Sequence, residues 1–351
     1  MDTILDEPER LRVLDKSGML EVLGRFPEDC RSAIEVAEKT PLGDLPNRSY
    51  KAVVFAGVGG SAIGGQLVAD WLRDESPIPL VISRRYHLPG FVDCNTLVFA
   101  VSYSGNTEET LDMLREAIVK ESPIVSVTSG GKLEKLSTKK GLPLILMPGE
   151  LIPRVALPYQ FFILAVVLNR LGLVPRSWGE VDEAIGVIEG LREELKLEVP
   201  TEANPAKKIA LKMRSKVPLV YGPSLLEGAA YRFGTQLNEN SKVPSASGAF
   251  PELFHNAVLG SEGPDEVLRP LFVLIIRDPG ESERVKRKID RFKSLLEGRV
   301  GGLLEVEAKG KGKLARMLSI IYMGDYISNY LGLLYGRDPS SMRSIEKIKR
   351  V

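Results

Sequence analysis

FAGVGGSAIGG, running from Phe55 to Gly65, sits where a short apolar run (KAVVFAG) gives way to a helical pattern (SAIGGQLVADWLRD). The β-branched and aromatic residues of the run read as a buried strand, and the apolar spacing beyond it as an amphipathic helix. A strand that ends in glycines and turns into a helix leaves backbone N–H groups at the positive helix end, a place for an anion. Gly57, Gly59 and Ala62 match the G-x-G-x-x-G/A spacing of dinucleotide sites, and the same turn suits the phosphate of a small sugar. A P-loop is disfavoured, because no Lys-Ser/Thr pair follows the glycines. The dinucleotide reading asks for an acidic residue about 20 positions on. The chain offers Ser83, Arg84 and Arg85 there, which leaves only a cofactor with a 2′-phosphate, NADP, open.

Outward from this stretch the pattern repeats. PLVIS, TLVFAVS, PIVSVTS and LPLILMP read as further strands, with helices in TEETLDMLREAIVK and KLEKLSTKK between them. Near-continuous apolar strands separated by helices predict a parallel sheet covered on both faces. After a segment rich in Pro, Gly, Glu and Lys, with an exposed helix predicted in EAIGVIEGLREELK, the alternation resumes. It runs from VPLVYG through PLFVLIIR to GLLEVEA, then into a long helix from about Lys313 to Leu334. The predicted organisation is an N-terminal helical segment (1–49), a first α/β domain (50–172), a connection (173–205), a second α/β domain (206–335) and a C-terminal helix (336–351).

The bulk numbers narrow the function. Lys and Arg number 47 against 46 Asp and Glu, a formal charge of +1, so no global basic field draws in nucleic acid. Two cysteines, Cys30 and Cys94, make neither a metal-ligand spacing nor a disulfide framework, and a reducing compartment is expected. The acidic N-terminus lacks a basic-then-apolar signal, and YQFFILAVVLNRLGLV is interrupted by Asn169 and Arg170, too polar to span a bilayer. A soluble cytoplasmic protein, with no membrane or nucleic-acid partner, is the expectation.

A second donor set lies in VSYSGNTEET, at the end of the next strand. Ser102, Ser104 and Thr107 offer hydroxyls to phosphate oxygens, and Gly105 permits close backbone approach. Helix capping by Asn106 or Thr107 accounts for one polar residue, not for four hydroxyls and amides in a row.

GVGGSAIGG with SYSGNTEETL resembles the sugar isomerase (SIS) family of sugar-phosphate-binding domains. LNENSKVPSASGAFPELFHNAVLG and LLYGRDPSSMRSIEKIK are similar to segments of the archaeal-type bifunctional phosphoglucose/phosphomannose isomerases. The resemblance implies two SIS-type domains, each a parallel sheet flanked by helices. It places phosphate binding on Gly60, Ser61, Ser102, Ser104 and Thr107. It also implies Glu239 as the catalytic base, His255 as the ring-opening residue, Arg154 as the cation that stabilises an enediolate, and Lys349 as the C-terminal lysine of the site, with Lys347 the alternative alignment. No cofactor and no metal are implied, and a homodimer with His255 serving the neighbouring subunit is.

These residue types suit the implied chemistry. Aldose–ketose isomerisation moves one proton between C1 and C2, which a single carboxylate can do. Negative charge developing on oxygen is met by an arginine, which keeps its proton. Opening the sugar ring needs a second acid–base group near neutral pH, and the chain has only His87 and His255. The chain departs from the family at Ala257, where HNA replaces HNE, and at Phe254, where a polar residue is common. Asp338 to Ile345 also lacks the threonine to which the family's mannose 6-phosphate activity is attributed, so glucose 6-phosphate is the firmer expectation. A non-catalytic sugar-phosphate sensor and an NADP-dependent oxidoreductase remain the alternative readings.

Overall fold

A computed structural model describes residues 3–174 and 178–348. The chain forms two compact units: an inserted unit, Phe26–Trp178, and a split unit made of Met1–Arg25 and Gly179–Val351. Two short helices, α1 (Pro8–Leu14) and α2 (Met19–Gly24), open the chain and belong to the split unit.

The inserted unit starts with helix α3 (Phe26–Lys39) and then alternates strands and helices: β1 (Ala52–Ala56), α4 (Gly60–Trp71), β2 (Leu80–Ser83), β3 (Thr96–Ser102), α5 (Glu108–Val119), β4 (Ile124–Thr128), α6 (Gly131–Lys140), β5 (Leu144–Leu146) and α7 (Leu157–Arg170). All five strands run parallel in the order β2-β1-β3-β4-β5. The three central strands are buried along their whole length, as their unbroken apolar runs require, while the edge strands are only partly covered. Phe55 stacks on Phe99 across β1 and β3, with ring centroids 5.3 Å apart. The order reverses between β1 and β3. A crevice opens beyond the strand ends at such a reversal, and ligands of open α/β sheets bind there. The glycine turn follows β1 and SYSGNT follows β3, so both donor sets border that crevice. This order is not the 3-2-1-4-5-6 arrangement of a dinucleotide fold, which counts against the NADP reading of the glycine spacing.

The split unit continues with α8 (Trp178–Leu195), α9 (Pro205–Met213), β6 (Val217–Pro223), α10 (Glu227–Gln236), β7 (Ala246–Phe250), α11 (Asp265–Leu268), β8 (Leu271–Arg277), α12 (Glu283–Leu296), β9 (Gly302–Glu307), α13 (Lys313–Leu334) and α14 (Arg343–Ile348). Its four parallel strands are ordered β7-β6-β8-β9, again with the first strand between the second and third. Helix α13 is buried on every side, and Tyr322, Tyr326 and Tyr330 form a ladder along it. The Tyr322 hydroxyl donates to the Leu23 carbonyl (3.0 Å), and the buried Arg232 of α10 pairs with Asp325 (2.7 Å). Lys207 is buried beside this ladder, and burial pushes its ammonium below the ordinary lysine value. Its Nζ donates to the carbonyls of Leu197 and Val199, both at 2.8 Å.

Two local readings are corrected. The helix predicted to be exposed, α8, buries Ala184, Ile188, Leu191 and Leu195, one face of a 3.6-residue period. The SASGAF stretch, which is not among the predicted strands, is the edge strand β7. Its small residues are required by neighbours: a Cβ on Gly248 would lie 2.6 Å from the Leu253 side chain. Among the described residues no helix is long and apolar enough to cross a membrane.

Candidate functional site

In the inserted unit the two donor sets are built into one cradle. Gly59, with φ 58°, turns the chain into α4, and Gly60 is the first helical residue. Its N–H belongs to the first turn, where amides have no intrahelical acceptor. The amides of Ser61 and Ala62 fold back onto the carbonyls of Val58 and Gly59 (3.2 and 3.1 Å). The Ser61 hydroxyl accepts from the Tyr103 amide at 3.1 Å, so the glycine turn is tied to the end of β3. Ser102, the last residue of β3, is fully buried and shares a 2.8 Å hydrogen bond with Thr107, the residue preceding α5. Thr107 caps α5 by position, without a side-chain bond to its first turn. Ser104 is exposed, and its hydroxyl accepts from the Asn106 amide at 3.3 Å.

A third loop, Ser129 to Gly131 after β4, locks the second. Gly105 has φ 64°, and a Cβ there would lie 1.7 Å from the Gly130 carbonyl oxygen. Gly131 has φ 78°, and a Cβ there would lie 2.5 Å from the Ser104 carbonyl. The Ser129 hydroxyl donates to the Tyr103 carbonyl at 2.6 Å, and the Lys132 amide to Asn106 Oδ1 at 3.2 Å. The two backbones are in contact, and only glycine fits both the left-handed conformation and the gap.

Arg154 is 3% exposed, in the loop between β5 and α7. Two contacts set that loop. The Tyr103 hydroxyl donates to the Pro148 carbonyl and accepts from the Leu151 amide, both at 2.7 Å, and burial raises the phenol above its ordinary value. A Cβ on Gly60 would sit 3.4 Å from the Pro153 carbonyl and 3.9 Å from the Arg154 Cα, so the glycine turn lies against the arginine's backbone. The structure thus brings Gly60, Ser61, Ser102, Ser104, Thr107 and Arg154 together around one strand-order reversal. Glycines, hydroxyls, helix-start amides and a guanidinium are a donor set without an acidic member, suited to a phosphate and to charge developing on oxygen.

Glu239 and His255 belong to the split unit. Glu239 is half-buried in a π-helical turn, Leu237–Ser241, that extends α10. π-Turns are rare and often sit at functional positions. This one is pinned to α13: Asn240 Nδ2 donates to Ser328 Oγ (2.9 Å) and Ser241 Oγ to the Ser328 carbonyl (2.8 Å). A Cβ on Gly332 would lie 2.5 Å from the Asn240 carbonyl oxygen, so the turn and α13 touch backbone to backbone. His255 is exposed and follows a 3-10 turn, Glu252–Phe254, its amide donating to the Glu252 carbonyl at 2.9 Å. Glu239 precedes β7 and His255 follows it, with about 17 Å of strand between the two positions. Lys349 lies outside the described residues, and Lys347 is exposed on α14. His87 is 88% exposed at the side chain, with Nδ1 3.8 Å from the Glu116 carboxylate.

Two elements of this framework carried no role in the sequence reading. Tyr103 was visible inside SYSGNT, and the SGG run after a strand marked the third loop. Neither signal says that the loops meet, which only the strand order does.

Comparison with known proteins places the chain among sugar-phosphate enzymes. Residues 202–351 match the family described as the bacterial phospho-glucose isomerase C-terminal SIS domain. A bifunctional phosphoglucose/phosphomannose isomerase of Caldicellulosiruptor bescii is 39% identical, over 94% of this chain and 98% of the relative. One from Aquifex aeolicus is 38% identical, over 86% of this chain and 90% of the relative. Among solved structures, a hypothetical protein of Thermus thermophilus superposes with a TM-score of 0.76 at 17% identity, covering 97% of this chain and 92% of the other, a likeness of fold.

Proposed function

The chain belongs to the bifunctional phosphoglucose/phosphomannose isomerase family, and on that premise we propose that it interconverts glucose 6-phosphate and fructose 6-phosphate, and mannose 6-phosphate with the same ketose. The observation that carries the reading is the cradle at the β1/β3 reversal, where glycine amides, the hydroxyls of Ser61, Ser102, Ser104 and Thr107, and the loop carrying Arg154 come together with no carboxylate among them. The phosphate is held by Gly60, Ser61, Ser102, Ser104 and Thr107. Glu239 takes the proton from C2 of the aldose and returns it to C1, and runs the reverse step from the ketose. Arg154 meets the charge on the cis-enediolate oxygen, and its burial strengthens that interaction over one in water. His255 transfers the proton between the ring oxygen and the C1 hydroxyl, and Lys349 completes the charged set.

The finer readings belong here as well. The working form is a homodimer in which His255 acts in the neighbouring subunit's site, as the family resemblance implies. The compartment is the cytoplasm, and no nucleic acid takes part.

The test is a coupled assay of the purified protein on glucose 6-phosphate and mannose 6-phosphate, with and without a chelator, beside Glu239→Gln. Turnover of both sugars in the wild type is expected, unaffected by the chelator, with loss of at least about 100-fold in the variant and fructose 6-phosphate binding retained. Binding without turnover in the wild type would turn the assignment to a sensor. Wild-type turnover in Glu239→Gln would move the base elsewhere.

A further inference from the structure

The residue that closes the Glu239 turn is a lysine in a conformation that disfavours lysine. Lys242 has φ 60° and ψ 31°, and its amide donates to the Leu237 carbonyl to end the π-turn. In the left-handed region an L side chain crowds its own backbone, and glycine or asparagine is the usual occupant. Residues held there against that preference cluster where the surroundings use them. The Lys242 ammonium shows a use. It donates to the carbonyl of Glu239, to that of Pro339 (3.1 Å) and to that of Ser341 (2.8 Å).

Those acceptors come from two segments far apart in sequence. One is the turn carrying the proposed base. The other is the DPSS stretch that leads into α14, itself folded by Asp338, whose Oδ1 accepts from the Ser340 amide (2.9 Å) and hydroxyl (2.6 Å). The Glu239 turn is therefore gripped on one side by α13, through Asn240, Ser241 and Gly332. On the other it is joined through Lys242 to the start of the C-terminal segment. Carbonyl oxygens have no side chain to vary, so a single ammonium with three donors is the economical way to gather them.

We propose that Lys242 is a positioning residue for the isomerisation. It holds the backbone of Glu239 and the 339–341 stretch at one fixed separation, so that the carboxylate keeps its alignment on both carbons through proton transfer. Lys242 acts through Glu239 and not on the sugar, so this inference rests on Glu239 being the base. A displacement of a reacting group by about 1 Å costs up to roughly 100-fold in rate, while binding of the sugar phosphate by a different set of residues is untouched.

The decisive variant is Lys242→Gly, because it removes the ammonium and also relieves the backbone, so the fold is kept. Expected are a kcat lower by roughly 10- to 100-fold, KM within about 3-fold of wild type, an unchanged or higher Tm, and slower exchange of the C2 hydrogen with solvent deuterium. Lys242→Met should match it in kcat, and Lys242→Arg, which keeps a cation on a long stem, should recover part of the loss. Wild-type kcat in Lys242→Gly overturns the proposal. So does a loss confined to KM, or one that tracks a lower Tm and that arginine does not relieve. Glu239→Gln run in parallel separates the two readings. If it is inactive while Lys242→Gly is not impaired, only the positioning role falls; if it retains turnover, the base assignment falls and takes this role with it.

Discussion

The two sheets of this protein share a topology and differ in what they put at its one chemically privileged point. In the inserted unit, the strands flanking the order reversal end in Gly57 to Gly60 and in Ser102 to Thr107, with amides and hydroxyls but no charge. In the split unit, β6 ends at Pro223, which has no N–H to offer, and β8 ends at Arg277. Arg277 is spent on ion pairs with Glu281 (3.3 Å), Asp290 (2.8 Å) and Glu305, and Lys293 also pairs with Glu305. Beyond the edge strand β9, the start of α13 is filled too. Glu183 Oε2 accepts from the Gly312 amide (3.0 Å) and Glu180 Oε1 from the Leu314 amide (2.7 Å) at the beginning of α13. Carboxylates of the chain itself occupy that helix start. The fold supplies a strand-order reversal twice, and the loops that follow it differ in what they offer an anion.

The harshest way to break this contrast is Gly105→Ala. A methyl group 1.7 Å from the Gly130 oxygen at φ 64° forces two loops apart. A loss of about 3 kcal/mol or more is expected by chemical denaturation, together with loss of fructose 6-phosphate binding. Wild-type stability would show that the two loops are not in backbone contact. A smaller step is Ser102→Ala, which removes a buried donor from the cradle. It should weaken fructose 6-phosphate by about 1.5 kcal/mol, roughly tenfold, by calorimetry, and Ser224→Ala beyond β6 should change nothing. Equal effects from the two serines would erase the distinction between the sheets.

The smallest effect lies in the ion-pair cluster. Burial alone would raise Glu305, but hydrogen bonds from Lys293 and Arg277 outweigh it and hold its carboxylate below the ordinary value. A carboxylate depressed in the folded state contributes stability that is present above its unfolded pKa and is lost as pH falls through the folded one. Glu305→Gln should therefore cost about 1 kcal/mol at pH 7, with the difference from wild type shrinking as urea denaturation is repeated towards pH 3. KM at pH 7 should stay put. A change in KM would mean that this cluster is part of the substrate site after all.

Much of this was legible in the residues themselves. Buried parallel strands such as TLVFAVS announce themselves because both faces meet apolar neighbours, and the long helix from Lys313 to Leu334 was bounded as found. The cradle was readable because glycine and hydroxyl residues follow strands in a pattern that capping does not exhaust. Strand β7 was hidden because Ala-Ser-Gly-Ala carries no β-branched signal; its small residues answer to Leu253, a neighbour known only from the fold. The buried face of α8 was masked by its Glu-rich partner face. The Gly105–Gly130 contact and the reach of Lys242 to Pro339 and Ser341 join segments far apart in the chain, and no local pattern encodes such a meeting.

The interruption of one unit by the other has a consequence for how the protein is made. The inserted unit is a continuous segment and can close once residue 178 has cleared the ribosome. The split unit must keep Leu23 and its neighbours waiting until α13, to which they are bound through Tyr322, has been synthesised more than 290 residues later. Until then the apolar side chains of α2 have no permanent partner, and a chain stalled before Lys313 holds one finished domain and one exposed fragment. Pulsed proteolysis of ribosome-bound chains of increasing length should show protection arriving in two steps, first for residues 26–178 and only much later for the first 25.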